Sequence, residues 1–161
     1  MTPHSPNQPP PFQKLLDRYA ADVYRFLVAQ VGPADADDCW QETFLAALRA
    51  YPRVKRGDNV KSWVLTIAHR KAIDSHRARA RRPEPVSELP ERGATEHGGS
   101  IAEVWDLVRE LPDKQRASVV LRFANDLPYA AIGQIAGTSE AAARQNVREG
   151  LKRLRREITD D

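Results

Sequence analysis

Residues 128–148 read PYAAIGQIAGTSEAAARQNVR, a stretch that contains the signals of two helices separated by a short turn. A short helix begins near Pro128 and ends at Gly137, because proline suits a first helical turn and glycine ends a helix. A longer helix follows from about Ser139, and the small Gly133 lies where the two helices approach closely. This spacing is typical of a helix-turn-helix, which places its second helix in the DNA major groove. An ordinary helical hairpin is the alternative.

Three more helices precede this motif by more than forty residues in the sequence. Apolar residues recur every three or four positions over residues 12–31, which predicts a first helix that ends at Gly32. A second helix is expected from near Asp35 to Pro52. After the polar loop 53–59, apolar residues of one face predict a third helix from Val60.

The remaining segments divide the chain. Residues 83–100 contain three prolines, three glycines and no apolar periodicity, which predicts a flexible linker. The proline-rich residues 1–11 predict a disordered tail. Helices are expected again from Ile101 and from Pro112, before the helix-turn-helix. The fold class is therefore all-α, with two small helical domains at residues 12–82 and 101–161.

Charge is segregated along the chain, although 25 Lys+Arg against 22 Asp+Glu leave a net charge of only +3. Residues 61–82 carry seven basic residues against the single acid Asp74, and residues 83–110 are acidic. Basic residues return over 144–156. A charged solvent-facing helix surface is the plain interpretation of either basic segment. Two such segments on separate helical units favour a nucleic-acid partner.

Several classes of function are not supported by the sequence. No phosphate-binding glycine loop, dinucleotide fingerprint, zinc-protease motif or serine-nucleophile motif occurs. The single Cys39 cannot form an internal disulfide and is expected to be a small buried residue, so a redox role is weakly supported. The sequence predicts no catalytic residue, no metal site, no cofactor, no membrane insertion and a cytoplasmic location.

Two segments carry a resemblance to a known family. Residues 35–48 read DADDCWQETFLAAL and residues 61–79 read KSWVLTIAHRKAIDSHRAR. With the Leu-Pro-x-x-x-Arg pattern that ends at Arg116 and the helix-turn-helix, they resemble the extracytoplasmic-function sigma factors of bacterial RNA polymerase over residues 12–158. The resemblance implies a promoter-specificity subunit with no chemistry of its own. Residues 12–82 would be sigma domain two, and residues 101–161 sigma domain four.

The resemblance also implies the site residues. The polymerase core, through its beta-prime clamp helices, is expected to contact Asp38, Gln41, Glu42 and Leu45. Capture and tracking of minus-ten DNA are expected of Arg53, Lys55, Arg56, Asn59, Lys61, Ser62, Trp63, Arg70, Lys71, Arg77 and Arg79. Minus-thirty-five DNA is expected to be bound by Thr138, Ser139, Glu140, Ala142, Arg144, Gln145, Arg148 and Lys152.

Some of these residues have a structural alternative. Trp63 could stack on a base, but an aromatic residue at helical spacing more often packs into a core. Asp35 and Asp37 are expected to stabilise the start of the second helix, whereas a metal site in this acidic run is a poor third interpretation. Phe44 is expected to pack inward. The alanines of the last helix depart from the family pattern and leave the promoter sequence open.

The expected partners are the polymerase core, including its beta-prime clamp helices and beta flap, promoter DNA and an anti-sigma factor. A stand-alone helix-turn-helix regulator is the competing hypothesis, but it leaves the polar strip at Gln41 and Glu42 unexplained. An enzyme acting on nucleic acid is a third hypothesis. It would require clustered carboxylates or a nucleophile paired with a base, and only the acidic run at 35–38 suggests one.

Overall fold

The computed structural model describes residues 10–55, 57–82 and 101–160. These residues form an all-α fold without strands, as the sequence predicts. The helices are α1 (Phe12–Val31), α2 (Pro33–Ala50), α3 (Val60–Arg81), α4 (Ile101–Arg109), α5 (Asp113–Phe123), α6 (Tyr129–Ala136) and α7 (Glu140–Thr159), with a short 3-10 turn at Tyr51–Arg53. No helix in these residues is both long and apolar enough to cross a membrane.

Helices α1, α2 and α3 pack on one another and form the N-terminal unit. Their apolar faces meet in a core, where Phe26, Leu27 and Leu65 are at 0% exposure. Full burial of each such side chain stabilises the fold by about 1.5–3 kcal/mol. The apolar residues whose spacing predicted α1 and α3 therefore contribute to the core of this unit.

The corner between α1 and α2 depends on Gly32, whose φ of +85° is one that residues with a Cβ rarely adopt. Pro33 follows as the first residue of α2, where its fixed φ suits a helix and its missing N–H costs nothing. The predicted start near Asp35 is therefore two residues late. Asp35 still lies in the first turn, as expected of an acid that stabilises the helix N-terminus.

Helices α4 to α7 form the C-terminal unit. α7 packs on α4, α5 and α6. Two glycines permit these close approaches: a Cβ at Gly150 would lie 2.7 Å from Cγ2 of Val119, and a Cβ at Gly133 would lie 2.8 Å from the carbonyl oxygen of Thr138. The close approach predicted at Gly133 is confirmed.

The two units are in direct contact. Nε of Arg116 in α5 donates a hydrogen bond of 2.8 Å to Oε1 of Gln30 in α1, and Nδ2 of Asn125 donates one of 2.9 Å to the carbonyl oxygen of Asp22. α3 also packs against α6, and the buried apolar residues form one continuous cluster through both units. The predicted linker 83–100 and nearly all of the predicted tail lie outside the described residues.

Candidate functional site

The residues predicted to contact polymerase share one face of α2. Asp38, Gln41, Glu42 and Leu45 are all exposed, and Leu45 is 54% exposed. Phe44, from the same motif, is 6% exposed and packs inward as predicted. Spacings of three and four residues bring the exposed side chains onto neighbouring turns. The result is a strip of two carboxylates, one amide and one leucine, which we call the α2 strip.

A cavity of about 510 Å³ lies beside the α2 strip, between α1 and α2. Its lining includes Tyr24, Asp37, Trp40 and Gln41. The nearby Asp37 carboxylate raises the pKa of the Tyr24 phenol, because it favours the protonated hydroxyl over the negatively charged phenolate. Nε1 of Trp40 donates to the carbonyl oxygen of Ala20 at 3.1 Å, which fixes the wall of the cavity.

Polar side chains of the loop before α3 accept hydrogen bonds from nearby backbone N–H groups. Oδ2 of Asp58 accepts a hydrogen bond of 2.8 Å from the backbone N–H of Lys55. Oδ1 of Asn59 accepts one of 3.1 Å from the backbone N–H of Ser62, so Asn59 is the N-cap of α3. The side chain of Asn59 therefore has a structural task besides the DNA contact predicted for it. Arg53 and Lys55 are exposed, and Arg56 lies outside the described residues.

The first turn of α3 is less open than predicted for a DNA surface. Ser62 is only 7% exposed, so the structure does not bring this predicted DNA residue to the surface. Trp63 is partly buried and packs against the core, in line with the structural alternative for this residue. Nζ of Lys61 lies 3.9 Å from Oδ2 of Asp22, and its side chain is one-third exposed.

Further along α3, the basic residues are more accessible. Arg70, Arg77 and Arg79 are exposed, whereas Lys71 is partly buried. Arg79 forms an ion pair of 3.3 Å with Asp35 across the start of α2, and this surface contact is screened by solvent and salt. Arg70 and Arg77, which are seven positions apart, lie on the same side of the helix and are exposed, whereas Arg79 is paired with Asp35.

The helix-turn-helix is built from α6 and α7. Gly137 ends α6 in the left-handed conformation, with φ +70° and ψ +34°. Ser139 is the N-cap of α7, and its hydroxyl accepts a hydrogen bond of 3.0 Å from the backbone N–H of Ala142. Ala143 and Val147 are buried against the preceding helices, as predicted. The motif is therefore a packed and capped unit, which the hairpin alternative did not require.

The opposite face of α7 is open. The predicted minus-thirty-five residues that lie exposed on α7 are Glu140, Arg144, Gln145, Arg148 and Lys152. Thr138 and Ala142 are partly buried, and Ser139 is exposed. Arg and Gln side chains on one helical face can donate to guanine and adenine edges or to phosphate oxygens. This arrangement suits insertion of α7 into a major groove.

Arg122 and Tyr129, which lie beside this face, were not among the residues predicted from the sequence. The Cζ atoms of Arg122 and Arg144 lie 4.7 Å and 5.0 Å from the ring centroid of Tyr129. Both distances are within the range of a cation–π contact. Tyr129 directly follows Pro128. Its position at the start of the first helix of the motif was the feature of the sequence that could have drawn attention to it.

Comparison with known proteins agrees with this geometry. The family model for Sigma-70 region 2 matches residues 15–82, and that for Sigma-70 region 4 matches residues 101–154. The ECF RNA polymerase sigma factor SigD of Mycobacterium tuberculosis is 32% identical over 91% of this chain and 76% of that protein. The chain belongs to the ECF sigma factors. BldN of Streptomyces coelicolor is 32% identical over 93% of this ECF sigma factor and 61% of BldN.

Solved structures share the fold of this ECF sigma factor. The sigma factor RpoE, in complex with the anti-sigma factor NepR from Bartonella quintana, gives a TM-score of 0.74 at 21% identity, over 93% of this chain and 98% of that chain. CnrH, in complex with the cytosolic domain of CnrY, gives a TM-score of 0.71 at 18% identity, over 93% and 88%. Both likenesses extend over the N-terminal and C-terminal units.

The ionisable side chains of His69, His76 and Cys39 are wholly or partly buried in this ECF sigma factor. A ring nitrogen of His76, Nε2, lies 2.8 Å from the carbonyl oxygen of Gln30. Burial lowers the pKa of His69 and His76, and the nearby Arg116 cation lowers both further. Cys39 is buried as predicted, and burial raises the pKa of its thiol. A thiol with a raised pKa is less reactive, which weakens a redox role.

Proposed function

We propose that this ECF sigma factor binds the core of bacterial RNA polymerase and directs it to promoters that carry suitable minus-ten and minus-thirty-five elements. One observation carries the proposal. The capped helix-turn-helix presents Arg144, Gln145 and Arg148 on an open face, in the same chain that presents the α2 strip. A DNA reader and a separate protein-facing strip are what a dissociable specificity subunit requires.

The α2 strip is the proposed contact for the beta-prime clamp helices. Leu45 supplies an exposed apolar side chain, while Asp38 and Glu42 supply charge that guides association and orientation. Leu48, 51% exposed one turn further, extends the apolar part of this surface. The beta flap is proposed to bind the C-terminal unit.

The DNA contacts are divided between the two units. α7 reads the minus-thirty-five element in the major groove, and α3 with the loop before it binds the minus-ten element. The exposed Arg70, Arg77 and Arg79 support phosphate contacts in the minus-ten region, because they lie along one helix as separate cations. Ser62 contributes through the start of α3 rather than by a direct contact, because its side chain is buried.

An anti-sigma factor is the proposed inhibitor. The likeness to RpoE, solved in complex with the anti-sigma factor NepR, supports this partner. Such a partner would cover the α2 strip or the DNA-facing side of α7. The chain supplies no chemistry of its own in this proposal, and it acts in the cytoplasm, where polymerase and promoter DNA are found.

Reconstitution tests the proposal. Purified wild-type chain is added to bacterial core polymerase that lacks any sigma factor, and transcription is measured from fragments of the native genome. We expect a stable complex and defined transcript starts, both absent with core alone. Tight duplex binding without core, and without core association, would favour the stand-alone regulator instead.

A matched pair of variants locates the polymerase contact. Glu42→Lys reverses one charge on the α2 strip, and we expect core binding at least tenfold weaker by fluorescence anisotropy. Asp74→Lys makes the same change at an exposed position of α3, in the same unit but outside the strip. Equal losses of core binding in the two variants would contradict the assignment of the strip.

A further inference from the structure

Tyr129 connects the recognition helix to the body of the C-terminal unit. Its ring contacts the guanidinium groups of Arg122 from α5 and Arg144 from α7, at 4.7 Å and 5.0 Å from Cζ to the ring centroid. Three helices are therefore joined at one aromatic ring. Only one of the three side chains, Arg144, is among the predicted DNA contacts.

The ring of Tyr129 is held by contacts within the C-terminal unit. Nη1 of Arg122 donates a hydrogen bond of 3.0 Å to the carbonyl oxygen of Leu127, which fixes that guanidinium against the turn leading into α6. Tyr129 is itself partly buried and packs against the core. Because the ring is fixed by these contacts, Arg144 takes its position from the ring.

Arg144 has a second contact, of a different kind. Its Nη2 lies 3.5 Å from Oε1 of Glu140, and both side chains are more than half exposed. Salt and water screen such a surface ion pair, and an approaching phosphate competes with the carboxylate for the same cation. The Tyr129 ring carries no charge, so its contact with Arg144 does not depend on the exposed carboxylate of Glu140.

We infer that Tyr129 is a positioning residue for DNA recognition, which holds the Arg144 guanidinium on the DNA-facing side of α7 through a cation–π contact. The inference rests on the proposed function, because it takes α7 as the helix that binds the promoter. A long arginine side chain loses much rotational freedom on binding DNA. Holding it in place beforehand reduces that loss.

A double-mutant cycle tests the inference in the full chain. The variants are Tyr129→Leu, Tyr129→Phe, Arg144→Ala and the combination of Tyr129→Leu with Arg144→Ala. The probe is the genomic duplex that the wild-type holoenzyme enriches most, and its dissociation constant is measured for each holoenzyme by fluorescence anisotropy. Leucine keeps an apolar side chain but removes the aromatic face, whereas phenylalanine keeps that face. Thermal unfolding of every variant confirms that it folds.

We expect Tyr129→Leu to bind the duplex about two- to fivefold more weakly than wild type, and Tyr129→Phe to bind like wild type. In the Arg144→Ala background, the leucine substitution should have no further effect, because there is no guanidinium left to position. A merely structural role for Tyr129 would weaken binding equally in both backgrounds.

Three results would overturn the inference, and they are distinguishable. If Arg144→Ala weakens binding while Tyr129→Leu binds like wild type, or if the losses from Tyr129→Leu and Arg144→Ala simply add, Tyr129 does not position Arg144. If Arg144→Ala itself leaves binding unchanged, α7 does not use this arginine, and the proposed minus-thirty-five contact fails together with the inference.

Discussion

Arginine has opposite roles in two regions of this molecule. At the contact between the units, Arg116 is 5% exposed, and its guanidinium bonds Gln30, the carbonyl oxygen of Leu111 and the carboxylate of Asp113. On the recognition helix, Arg144 is half exposed, with one long ion pair and one aromatic ring as neighbours. The donors of Arg116 are paired within the fold. Most donors of Arg144 face solvent.

The two arginines show that the charge of a side chain does not by itself define its role. The role also depends on how many of its hydrogen-bond donors are already paired within the fold. Buried donors and acceptors must be paired, since each unpaired group costs about 1–3 kcal/mol. An arginine with its donors paired inside therefore stabilises one arrangement of helices. An arginine with most donors in water contributes little to stability and remains available for DNA.

The largest expected effect comes from Arg116→Met, which keeps an unbranched apolar side chain but removes the guanidinium group and all of its donors. Oε1 of Gln30 and the carbonyl oxygen of Leu111 would lose their partners inside the core. We expect the free energy of unfolding to fall by about 3 kcal/mol, measured by urea denaturation.

The matched control for that prediction is Arg153→Met on the exposed face of α7. Its effect on unfolding should stay within about 0.5 kcal/mol. Similar losses of stability in the two variants would mean that the buried contact between the units has no special weight.

A smaller effect is expected from pH, through the histidines packed beside the same contact. Burial lowers the pKa of His69 and His76 below the value of an unfolded chain, so the unfolded chain binds more protons as pH falls. The stability contributed by the neutral rings is fully present above about pH 6.5 and declines as pH is lowered through and below that value. Arg116, Arg70 and Arg79 oppose protonation of one or both rings, while Asp113 favours it.

Urea denaturation at pH 7.5 and pH 5.5 measures this dependence. The double variant His69→Gln with His76→Gln should lose less stability between the two pH values than wild type does. An equal loss in both proteins would assign the pH dependence to carboxylates elsewhere.

The smallest effect on stability is expected from Arg144→Met. Its ion pair with Glu140 is exposed, so the free energy of unfolding should change by less than about 0.5 kcal/mol. The same variant should nevertheless bind the promoter duplex about tenfold more weakly. A substantial loss of stability with unchanged promoter binding would reverse the comparison between the two arginines.

Much of the fold could be predicted from local sequence. The period of apolar residues located α1 and α3 at Phe12 and Val60, and Gly137 marked the end of α6. These signals are local, because a helix face and a C-cap are specified by residues a few positions apart. The start of α2 was misplaced by two residues, since Asp35 was weighed above the proline at 33.

The long-range contacts could not be predicted in this way. Gln30 and Arg116 are separated by 86 positions, and nothing in either neighbourhood indicates that they meet. The burial of Ser62 was not predicted for a similar reason, because packing within the N-terminal unit decides which side of α3 is covered. Tyr129 was missed because its role depends on two arginines from other helices. Residues placed on open helix faces, such as Gln41 and Gln145, were located correctly because exposure follows from helical period.

The hydrogen bond between Gln30 and Arg116 also limits the distance along a promoter that the two units can span while they are in contact. Promoter elements named for positions 25 base pairs apart are separated by roughly 85 Å along the duplex, at ~3.4 Å per base pair. α3 and α7 are each only about 30–33 Å long, at ~1.5 Å per residue. While the two units touch, α3 and α7 cannot occupy both elements of one straight promoter.

Residues 83–100 supply enough chain for the units to separate, since they can span roughly 60 Å at ~3.3–3.6 Å per extended residue. If α3 and α7 bind the two promoter elements as proposed, the hydrogen bond between Gln30 and Arg116 must break before one chain can occupy both elements.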